Sequence, residues 1–285
     1  MNILTAINEN WVLPARALIA SIKDSNRKTH INIYIMFSEL SSSSINQILS
    51  DETQWCKIIP VKVDDSDILH IDSTTKEAYL RLFASVVLPH DIDRIMWIDA
   101  DIVVTKPLQE FYDQPIDDYY YIACSEVGNL KGKRKARLEN LHLPEDFPYI
   151  NSGVLMINLQ EIRKVETWVD DIDLYIKTTD SDLLYADQDI INVLFNANGK
   201  VKVLKPPCFY NQRASKEYYR KPYAVLHYAG KNKPWIMTGQ RGFFVWYKYA
   251  FKIKGLRMHI LKLMLFAVVR GVFAKLKRKV LTKKK

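Results

Sequence analysis

Glycine is scarce in this sequence, with nine glycines among 285 residues. They form neither a G-x-G-x-x-G dinucleotide fingerprint nor a G-x-x-x-x-G-K-[ST] phosphate loop. The common glycine loops that hold nucleotide phosphates are therefore excluded. If the chain binds a nucleotide, something else must neutralise the phosphates, and a metal ion is the obvious candidate.

Cysteine is also rare. The three cysteines, Cys56, Cys124 and Cys208, lie far apart and include no C-x-x-C pair. This spacing favours neither a disulfide framework nor a thiolate zinc site, and it fits a reducing cytosol.

The start of the chain lacks the basic and apolar pattern of a secretory signal. The apolar run Leu263–Val269 has seven residues, whereas a membrane span needs about 20. We expect a cytoplasmic protein without a transmembrane helix.

Acidic residues are absent after Glu217, although the chain holds 32 of them in all. The last 68 residues contain 18 of the 41 lysines and arginines, so an acidic body carries a basic end. The asymmetry assigns any binding of a polyanion to the end of the chain. We predict a catalytic domain over 1–247 and a basic, helical, membrane-associating tail over 248–285.

Short runs rich in β-branched and aromatic residues alternate with longer helical patterns, which is typical of an α/β fold. Strands are predicted at 2–7, 31–37, 57–63, 94–98, 119–123, 153–158, 201–204 and 224–226, and helices at 11–22, 75–88, 160–177 and 187–196. The cluster Ser41–Ser44 is suited to cap a further short helix. The polar, basic stretch Val127–Tyr149 has two interpretations: a mobile flap beside a site, or a solvated surface helix and loop.

Asp99 and Asp101 follow the apolar strand that ends at Ile98. In extended geometry two residues in this spacing point the same way, so they can share one divalent cation. The carboxyl end of a strand is also where open α/β sheets bind ligands. A D-x-D tripeptide alone is common in a chain this acidic, but a cation would offset the cost of burying both carboxylates.

His227 ends a second apolar run and is followed by Gly230 and Lys233. Imidazole is a competent manganese ligand beside carboxylates, and the glycine and lysine could approach a phosphate by backbone and by charge. The competing interpretation of a single histidine is a structural residue of the core.

Four segments in order resemble glycosyltransferase family 8: RIMWIDADIVV, YINSGVLMINL, ADQDIINVLF and HYAGKNKPW, which begin at residues 94, 149, 186 and 227. The resemblance includes AINENW, from Ala6, and TTKEAYLRL, from Thr74, and covers about residues 1–240. This family includes bacterial lipopolysaccharide galactosyl- and glucosyltransferases and glycogenin. The resemblance implies a GT-A fold, a UDP-galactose or UDP-glucose donor, Mn²⁺ or Mg²⁺, and transfer with retention of configuration.

The resemblance also implies roles for individual residues. The metal ligands would be Asp99, Asp101 and His227, with Gly230 and Lys233 on the diphosphate, Ala6, Asn8 and Asn10 on the uridine, and Arg81 near the donor phosphate and sugar. Close bacterial relatives often have aspartate in place of Asn8, but an amide can also hydrogen-bond uracil. An ion pair between Arg81 and Asp187 is the structural alternative for the arginine, and the two roles are compatible.

By the same resemblance, Asn151, Asp187 and Gln188 would form the catalytic group around the donor sugar. Capping of the following helix is the alternative role for Asp187. A double displacement needs a carboxylate nucleophile below the anomeric carbon, where the family places Gln188. An amide oxygen is a poor nucleophile. The resemblance therefore implies a front-face mechanism in which Gln188 and Asp187 stabilise oxocarbenium-like charge.

These features predict a metal-dependent retaining hexosyltransferase that acts on a glycan or lipid-linked acceptor at the cytoplasmic face of the inner membrane. The basic, apolar tail predicts contact with an anionic membrane surface. Three alternatives remain: a nucleic-acid-binding protein with a basic tail, a sugar-nucleotide-binding protein without turnover, and self-glucosylation as in glycogenin. Nucleic-acid binding would leave the acidic body unexplained.

Overall fold

A seven-stranded sheet lies at the centre of the molecule. The computed structural model describes residues 1–64, 76–126, 131–179, 187–204, 209–214, 223–230, 233–236 and 242–282. The sheet contains β1 (Asn2–Ala6), β2 (Ile31–Phe37), β3 (Cys56–Lys62), β4 (Arg94–Ile98), β6 (Tyr121–Ser125), β7 (Ile150–Asn158) and β8 (Val201–Leu204), in the order β3-β2-β1-β4-β7-β6-β8. The predicted α/β class is confirmed.

The direction of β7 determines what meets at the edge of this sheet. Strands β1 to β4 are parallel to one another, whereas β7 runs antiparallel to both β4 and β6. The C-terminal ends of β1 and β4 therefore lie beside the N-terminal end of β7. All nine residues of β7 are buried, as expected for a central strand covered on both faces.

A second, three-stranded sheet lies beside the first. It consists of β5 (Ile102–Val104), β10 (Val225–His227) and β9 (Gln212–Arg213), with β10 in the middle. Strand β10 pairs antiparallel with β5, in a register that places His227 opposite Ile102. The small sheet thus joins the end of β4 to a segment more than 120 residues later.

Helices cover both faces of the main sheet. They are α1 (Val12–Ser25), α2 (Ser42–Leu49), α3 (Lys76–Tyr79), α4 (Ala84–Val87), α5 (Gln109–Tyr112), α6 (Lys131–Asn140), α7 (Leu159–Ile162), α8 (Trp168–Thr179), α9 (Asp187–Ile190), α10 (Phe243–Ala250) and α11 (Arg257–Thr282). Ser41 caps α2 as predicted, with its hydroxyl accepting from the Ser44 backbone. One core cluster contains Phe83, Trp97 and Trp168, and a second contains Ile19 and Met96.

Three predicted helices are interrupted in the structure. A 3₁₀ segment, Leu80–Phe83, separates α3 from α4, and a π-helical segment, Ile191–Asn196, follows α9. The helix predicted at 160–177 is split into α7 and α8. Between them the Arg163 guanidinium donates to five backbone carbonyls, of Ser85, Leu88, Pro89, His90 and Ile92. Such long-range contacts override the helical pattern of the local sequence.

The basic stretch at 131–140 is helical, and it is anchored by a buried ion pair that the sequence did not predict. Arg137 and Asp189 are 7% and 0% exposed, and the guanidinium bonds both carboxylate oxygens. The Tyr149 hydroxyl donates to the same carboxylate. Helix α6 is therefore tied to α9, although Lys135 and Ala136 are exposed as the surface-helix interpretation requires.

The end of the described chain forms two helices. Helix α10 packs on α1 through buried side chains that include Trp246 and Tyr247, and it crosses the boundary predicted at residue 247. The division into domains 1–247 and 248–285 stays a prediction. Helix α11 is one continuous helix of 26 residues. Among the described helices, none is long and apolar enough to cross a bilayer.

One cysteine differs from the expectation of free thiols. Cys124, in β6, is disulfide-bonded, whereas Cys56 is free and buried. Burial raises the pKa of the Cys56 thiol to about 11. The spacing of cysteines along a sequence does not show which ones the fold brings together.

We expect Arg137→Ala and Asp189→Ala each to lower the free energy of unfolding by about 3–5 kcal/mol, because each leaves a buried charge without its partner. Urea unfolding followed by circular dichroism measures the loss. The control is Lys177→Ala, which removes an exposed pair with Asp173 and should leave stability nearly unchanged. If Lys177→Ala lowered the free energy of unfolding as much as Arg137→Ala or Asp189→Ala, burial would not explain the cost of breaking the Arg137–Asp189 pair.

Candidate active site

Two acidic residues leave the sheet where β4 meets β7. Asp99 directly follows β4, and its backbone N–H donates to the Gly153 carbonyl across the strand pair at 2.9 Å. Asp101 follows two residues later and is buried. Because β7 is antiparallel, the segment Asn151–Gly153 at its beginning lies against the end of β4.

The small sheet brings His227 to these carboxylates. The backbone N–H of Tyr228 donates to the Asp101 carbonyl at 3.0 Å, which fixes the end of β10 beside the acidic pair. His227 Nε2 lies 3.2 Å from Asp101 Oδ1 and 3.7 Å from Asp99 Oδ2. One ligand atom from each of the three residues lies within 4.8 Å of the others, as the sequence predicts.

In each carboxylate, one oxygen is engaged and the other faces the cluster. Asp99 Oδ1 accepts a 2.8 Å hydrogen bond from the Trp97 indole and lies 2.9 Å from Arg81 Nη2. Asp101 Oδ2 is bonded by the Lys233 ammonium, whereas Asp101 Oδ1 is buried without a hydrogen-bond donor. Burial would raise the pKa of Asp101, but the adjacent His227 and the Lys233 ammonium hold it well below its usual value.

These atoms fit a divalent cation. Asp99 Oδ2, Asp101 Oδ1 and His227 Nε2 converge on one point, and the buried oxygen of Asp101 is otherwise unsatisfied. Two carboxylates with one imidazole form a donor set suited to Mn²⁺, and less well to Mg²⁺, which prefers oxygen ligands. Hydrogen bonds to the outer atoms are the usual way in which ligands are oriented.

Gly153 lies directly beneath this cluster, and it was not among the residues predicted from the sequence. A β-carbon at this position would lie 2.3 Å from His227 Cε1 and 2.9 Å from Asp99 Oδ2. Both distances are shorter than real contacts allow. The only sequence signal was its place in the segment NSGVLMINL, which does not reveal what the glycine faces.

Arg81 holds the acidic groups of two elements together. Its Nε lies 3.0 Å from Asp187 Oδ2, so the ion pair given above as the structural alternative is confirmed. The guanidinium also donates to the Ser152 carbonyl and lies over the Trp97 ring. Burial raises the pKa of Asp187 to about 6, against the opposing effect of Arg81.

The amides of Asn151 and Gln188 are bonded to each other. Asn151 Nδ2 donates to Gln188 Oε1 at 2.9 Å, and the Ser152 backbone N–H donates to the same oxygen at 3.2 Å. Both lone pairs of the Gln188 oxygen are thus engaged. The Gln188 amide nitrogen donates at 3.3 Å to Glu126, a residue that no sequence motif pointed to.

A cavity of about 200 Å³ opens beside the acidic pair. Of the residues predicted to bind a nucleotide sugar, Ala6, Asn8, Arg81, Asp99 and Asp101 line it. Trp11 and Trp97 add aromatic surface.

The other residues predicted to contact the donor, Asn10, Gly230 and Lys233, are not among those that line the cavity. Asn10 is exposed, and its backbone N–H donates to Asn8 Oδ1 at 3.1 Å. Gly230 is exposed with a positive φ of 93°, a conformation that glycine adopts without strain. Lys233 lies over the Trp11 ring and bonds Asp101 and the Tyr228 carbonyl.

We expect Gly153→Ala to weaken Mn²⁺ binding at least ~10-fold, because the methyl group displaces His227 or Asp99 from the cluster. Binding is measured by electron paramagnetic resonance of free Mn²⁺. The matched control is Gly255→Ala: Gly255 has a φ of 78° and open space around it, so alanine there strains the backbone without touching the cluster. Wild-type affinity in Gly153→Ala would contradict the geometry.

Comparison with known proteins agrees with this geometry. Residues 2–239 match the profile of the family described as glycosyl transferase family 8. A lipopolysaccharide 1,2-glucosyltransferase of Escherichia coli is 29% identical over 250 residues, covering 82% of this chain and 73% of its own. A lipopolysaccharide 1,3-galactosyltransferase of Salmonella typhimurium is 23% identical over 259 residues, covering 84% of this chain and 74% of its own.

Among solved structures, the galactosyltransferase LgtC in complex with donor and acceptor sugar analogues is similar to this chain, with a TM-score of 0.76 and 21% identity. The match covers 89% of this chain and 96% of that one. This likeness confirms the GT-A fold expected from the sequence. The family match covers most of the chain, including the strands that carry Asp99, Asn151 and His227. The chain therefore belongs to glycosyl transferase family 8 and is a glycosyltransferase.

Proposed function

We propose that the protein is a retaining, metal-dependent hexosyltransferase that moves glucose or galactose from a UDP-sugar to a glycan or lipid-linked acceptor. The observation that carries the proposal is the convergence of Asp99 Oδ2, Asp101 Oδ1 and His227 Nε2 beside the cavity. The names of the bacterial relatives, a glucosyltransferase and a galactosyltransferase of lipopolysaccharide, support a hexose and a cell-surface glycan.

Asp99, Asp101 and His227 would hold Mn²⁺ or Mg²⁺. When bound, the cation supplies positive charge that neutralises the donor diphosphate and stabilises it as the leaving group. Lys233 adds a second positive charge, since its ammonium lies at the edge of the same cluster. Gly230 offers a backbone without a side chain, which allows close approach of a phosphate.

The nucleotide would occupy the cavity between β1 and the acidic pair. Ala6, Asn8 and Asn10 are the proposed uridine contacts, and Arg81 lies between the cavity and Asp187. Because Asn8 Oδ1 is bonded to the backbone of Asn10, its amide N–H groups are the part suited to the uracil. Arg81 is engaged by two carboxylates, so we assign it chiefly to positioning them.

Retention would follow from front-face attack. Gln188 Oε1 accepts two hydrogen bonds, which supports a mechanism without a covalent glycosyl–Gln188 intermediate. The bond from the anomeric carbon to UDP breaks, the acceptor oxygen attacks from the same face, and a diphosphate oxygen takes the acceptor proton. Asp187, ionised above a pKa of about 6, would stabilise the positive charge of the sugar, with Gln188 and Asn151 holding the adjoining surface.

The test is a UDP-release assay across a panel of UDP-sugars, each with Mn²⁺ or with excess EDTA. We expect Asp101→Asn to lower turnover at least ~100-fold while the fold is retained, because a charged cation ligand is lost. Asp173→Asn, an acid in an exposed pair on α8, is the control. An α-linked product identified by NMR would establish retention.

Three results would contradict the proposal: full activity in EDTA, a β-linked product, or UDP release without conversion of any acceptor. The last result would favour the alternative of a sugar-nucleotide-binding protein without turnover. Nucleic-acid binding, a second alternative, is not favoured, because the family match accounts for the acidic body.

We also propose that α11 docks the enzyme on the anionic cytoplasmic surface of the inner membrane, near a lipid-linked acceptor. Exposed apolar side chains recur every three or four residues along one side of the helix: Met258, Leu261, Leu265, Val268 and Val272. A separate line of buried residues, Ile260, Ala267 and Gly271, lies on another side. Lys262 and Arg270 are also exposed on this helix, and the described part of α11 contains no acid. This combination is typical of a helix at a membrane interface.

Vesicle flotation at moderate salt tests the docking surface. We expect the full chain to float with vesicles that contain anionic lipid, and a Leu265→Glu, Val272→Glu double variant to lose most of this binding, because it places charge in the apolar stripe. Leu174→Glu alters an equally exposed leucine on α8 and should float like the wild type. Wild-type flotation of the double variant, or a stable dimer that buries the stripe, would contradict the proposal.

A further inference from the structure

A chain of side-chain amides runs from the cation cluster to Glu126. His227 Nδ1 lies 3.0 Å from Asn211 Oδ1, and Asn211 Nδ2 donates to Asn151 Oδ1 at 2.7 Å. Asn151 then donates to Gln188, and Gln188 donates to Glu126. The two ends of the active site, the histidine and the Gln188 amide, are therefore joined by hydrogen bonds that all point the same way.

The backbone at the beginning of β7 fixes the orientation of each amide. Asn211 Nδ2 lies 3.4 Å from the Asn151 carbonyl, which can only accept. Asn151 Oδ1 accepts from the Gly153 N–H at 3.0 Å, and Gln188 Oε1 accepts from the Ser152 N–H. Rotating any of the three amides by 180° would set two donors or two acceptors against each other. The direction of the chain is thus determined by main-chain groups whose roles are not ambiguous.

This direction determines which nitrogen of His227 carries the proton. Asn211 presents its carbonyl oxygen to Nδ1, and a carbonyl oxygen can only accept, so the neutral imidazole carries its proton on Nδ1. Nε2 is then left with a lone pair directed at Asp99 Oδ2 and Asp101 Oδ1. A histidine that ligates a metal commonly donates its other N–H to an oxygen in this way.

Asn211 reaches this position because of the small sheet. It directly precedes β9, which pairs parallel with β10, and the Ala214 N–H donates to the His227 carbonyl at 2.9 Å. The strand pair holds the backbone of residue 211 close to the histidine ring. No feature of the local sequence FYNQRA distinguishes this asparagine from one in an ordinary loop.

We propose that Asn211 is a positioning residue that holds His227 in its metal-binding tautomer. Through Asn151, it also fixes the orientation of the Gln188 amide. The proposal rests on the proposed function, since it concerns the histidine of that cation site. Asn211 would affect both cation affinity and transfer, although it would touch neither the cation nor the sugar.

Two variants separate these effects. Asn211→Ala removes both hydrogen bonds, and we expect Mn²⁺ affinity to fall ~10- to 100-fold and transfer to fall with it. Asn211→Asp keeps an acceptor for His227 Nδ1–H but cannot donate to Asn151. We therefore expect it to retain Mn²⁺ affinity to within ~3-fold and to lose transfer at saturating Mn²⁺. Asn198→Ala, an exposed asparagine that bonds its own helix, is the matched control.

The tautomer is read directly by long-range ¹H–¹⁵N NMR of histidine-labelled, metal-free enzyme, at a pH at which the spectrum itself shows His227 to be neutral. The chain has six histidines, so a His227→Gln spectrum assigns the signal. We expect the Nδ1–H tautomer in the wild type and Asn211→Asp, and a loss of this preference in Asn211→Ala. A Mn²⁺ titration of Asn211→Ala in the His227→Gln background should show no additional loss of affinity.

The proposal is overturned by an Nε2–H tautomer in the wild type, by an unchanged tautomer in Asn211→Ala, or by Mn²⁺ affinity that falls equally in Asn211→Asp and Asn211→Ala. Failure of the proposed function would look different. A wild-type enzyme that takes up no Mn²⁺ would refute the cation site, and the tautomer measurement would still decide the role of Asn211.

Discussion

The convergence of Asp99, Asp101 and His227 is the constraint on which the rest of the site depends. Three groups with lone pairs facing one point repel one another, and Asp101 is buried as well. The fold supports them by engaging the outer atom of each ligand: the Trp97 indole and Arg81 bond Asp99, the Lys233 ammonium bonds Asp101, and the Asn211 amide bonds His227. The inner atoms are left for a cation. Gly153 lacks a side chain for the same reason, since a β-carbon there would collide with His227 and Asp99.

The directions and order of the strands in the two sheets bring these residues together. Because β7 is antiparallel, its first residues lie at the end of β4, where their backbone groups orient the amides of Asn151, Gln188 and Asn211. The small sheet then brings β10 to the same place from far along the chain. The buried pair of Arg137 and Asp189 ties α6 to α9, so the helix that carries Gln188 is itself anchored.

Charged and apolar side chains are arranged differently in the body of the protein and in helix α11. In the body, buried charges are paired with groups of opposite sign, as with Arg16 and Asp51 or Arg81 and Asp187. Helix α11 instead exposes apolar residues beside basic ones. Its sequence shows no clean stripe because two apolar lines occupy it: one packs on the body through Ile260, and the other faces solvent. Periodicity cannot separate two such lines, whereas contacts can.

The sequence by itself determined the features that depend on neighbouring residues. The strands Ile31–Phe37, Arg94–Ile98 and Val201–Leu204 were predicted with the observed bounds, because short runs rich in β-branched, aromatic and other apolar residues favour strands. Their places at strand ends made Asp99, Asp101 and His227 candidate metal ligands, and the family resemblance joined them in one site and supplied Asn151, Asp187 and Gln188. Only the tertiary structure decided what lies opposite these residues. The bonds from Arg137 to Asp189, from Asn211 to Asn151 and from Gln188 to Glu126 join residues 52 to 62 positions apart. Gly153 meets His227 only because two sheets converge. No local pattern records which groups a fold places within hydrogen-bonding distance.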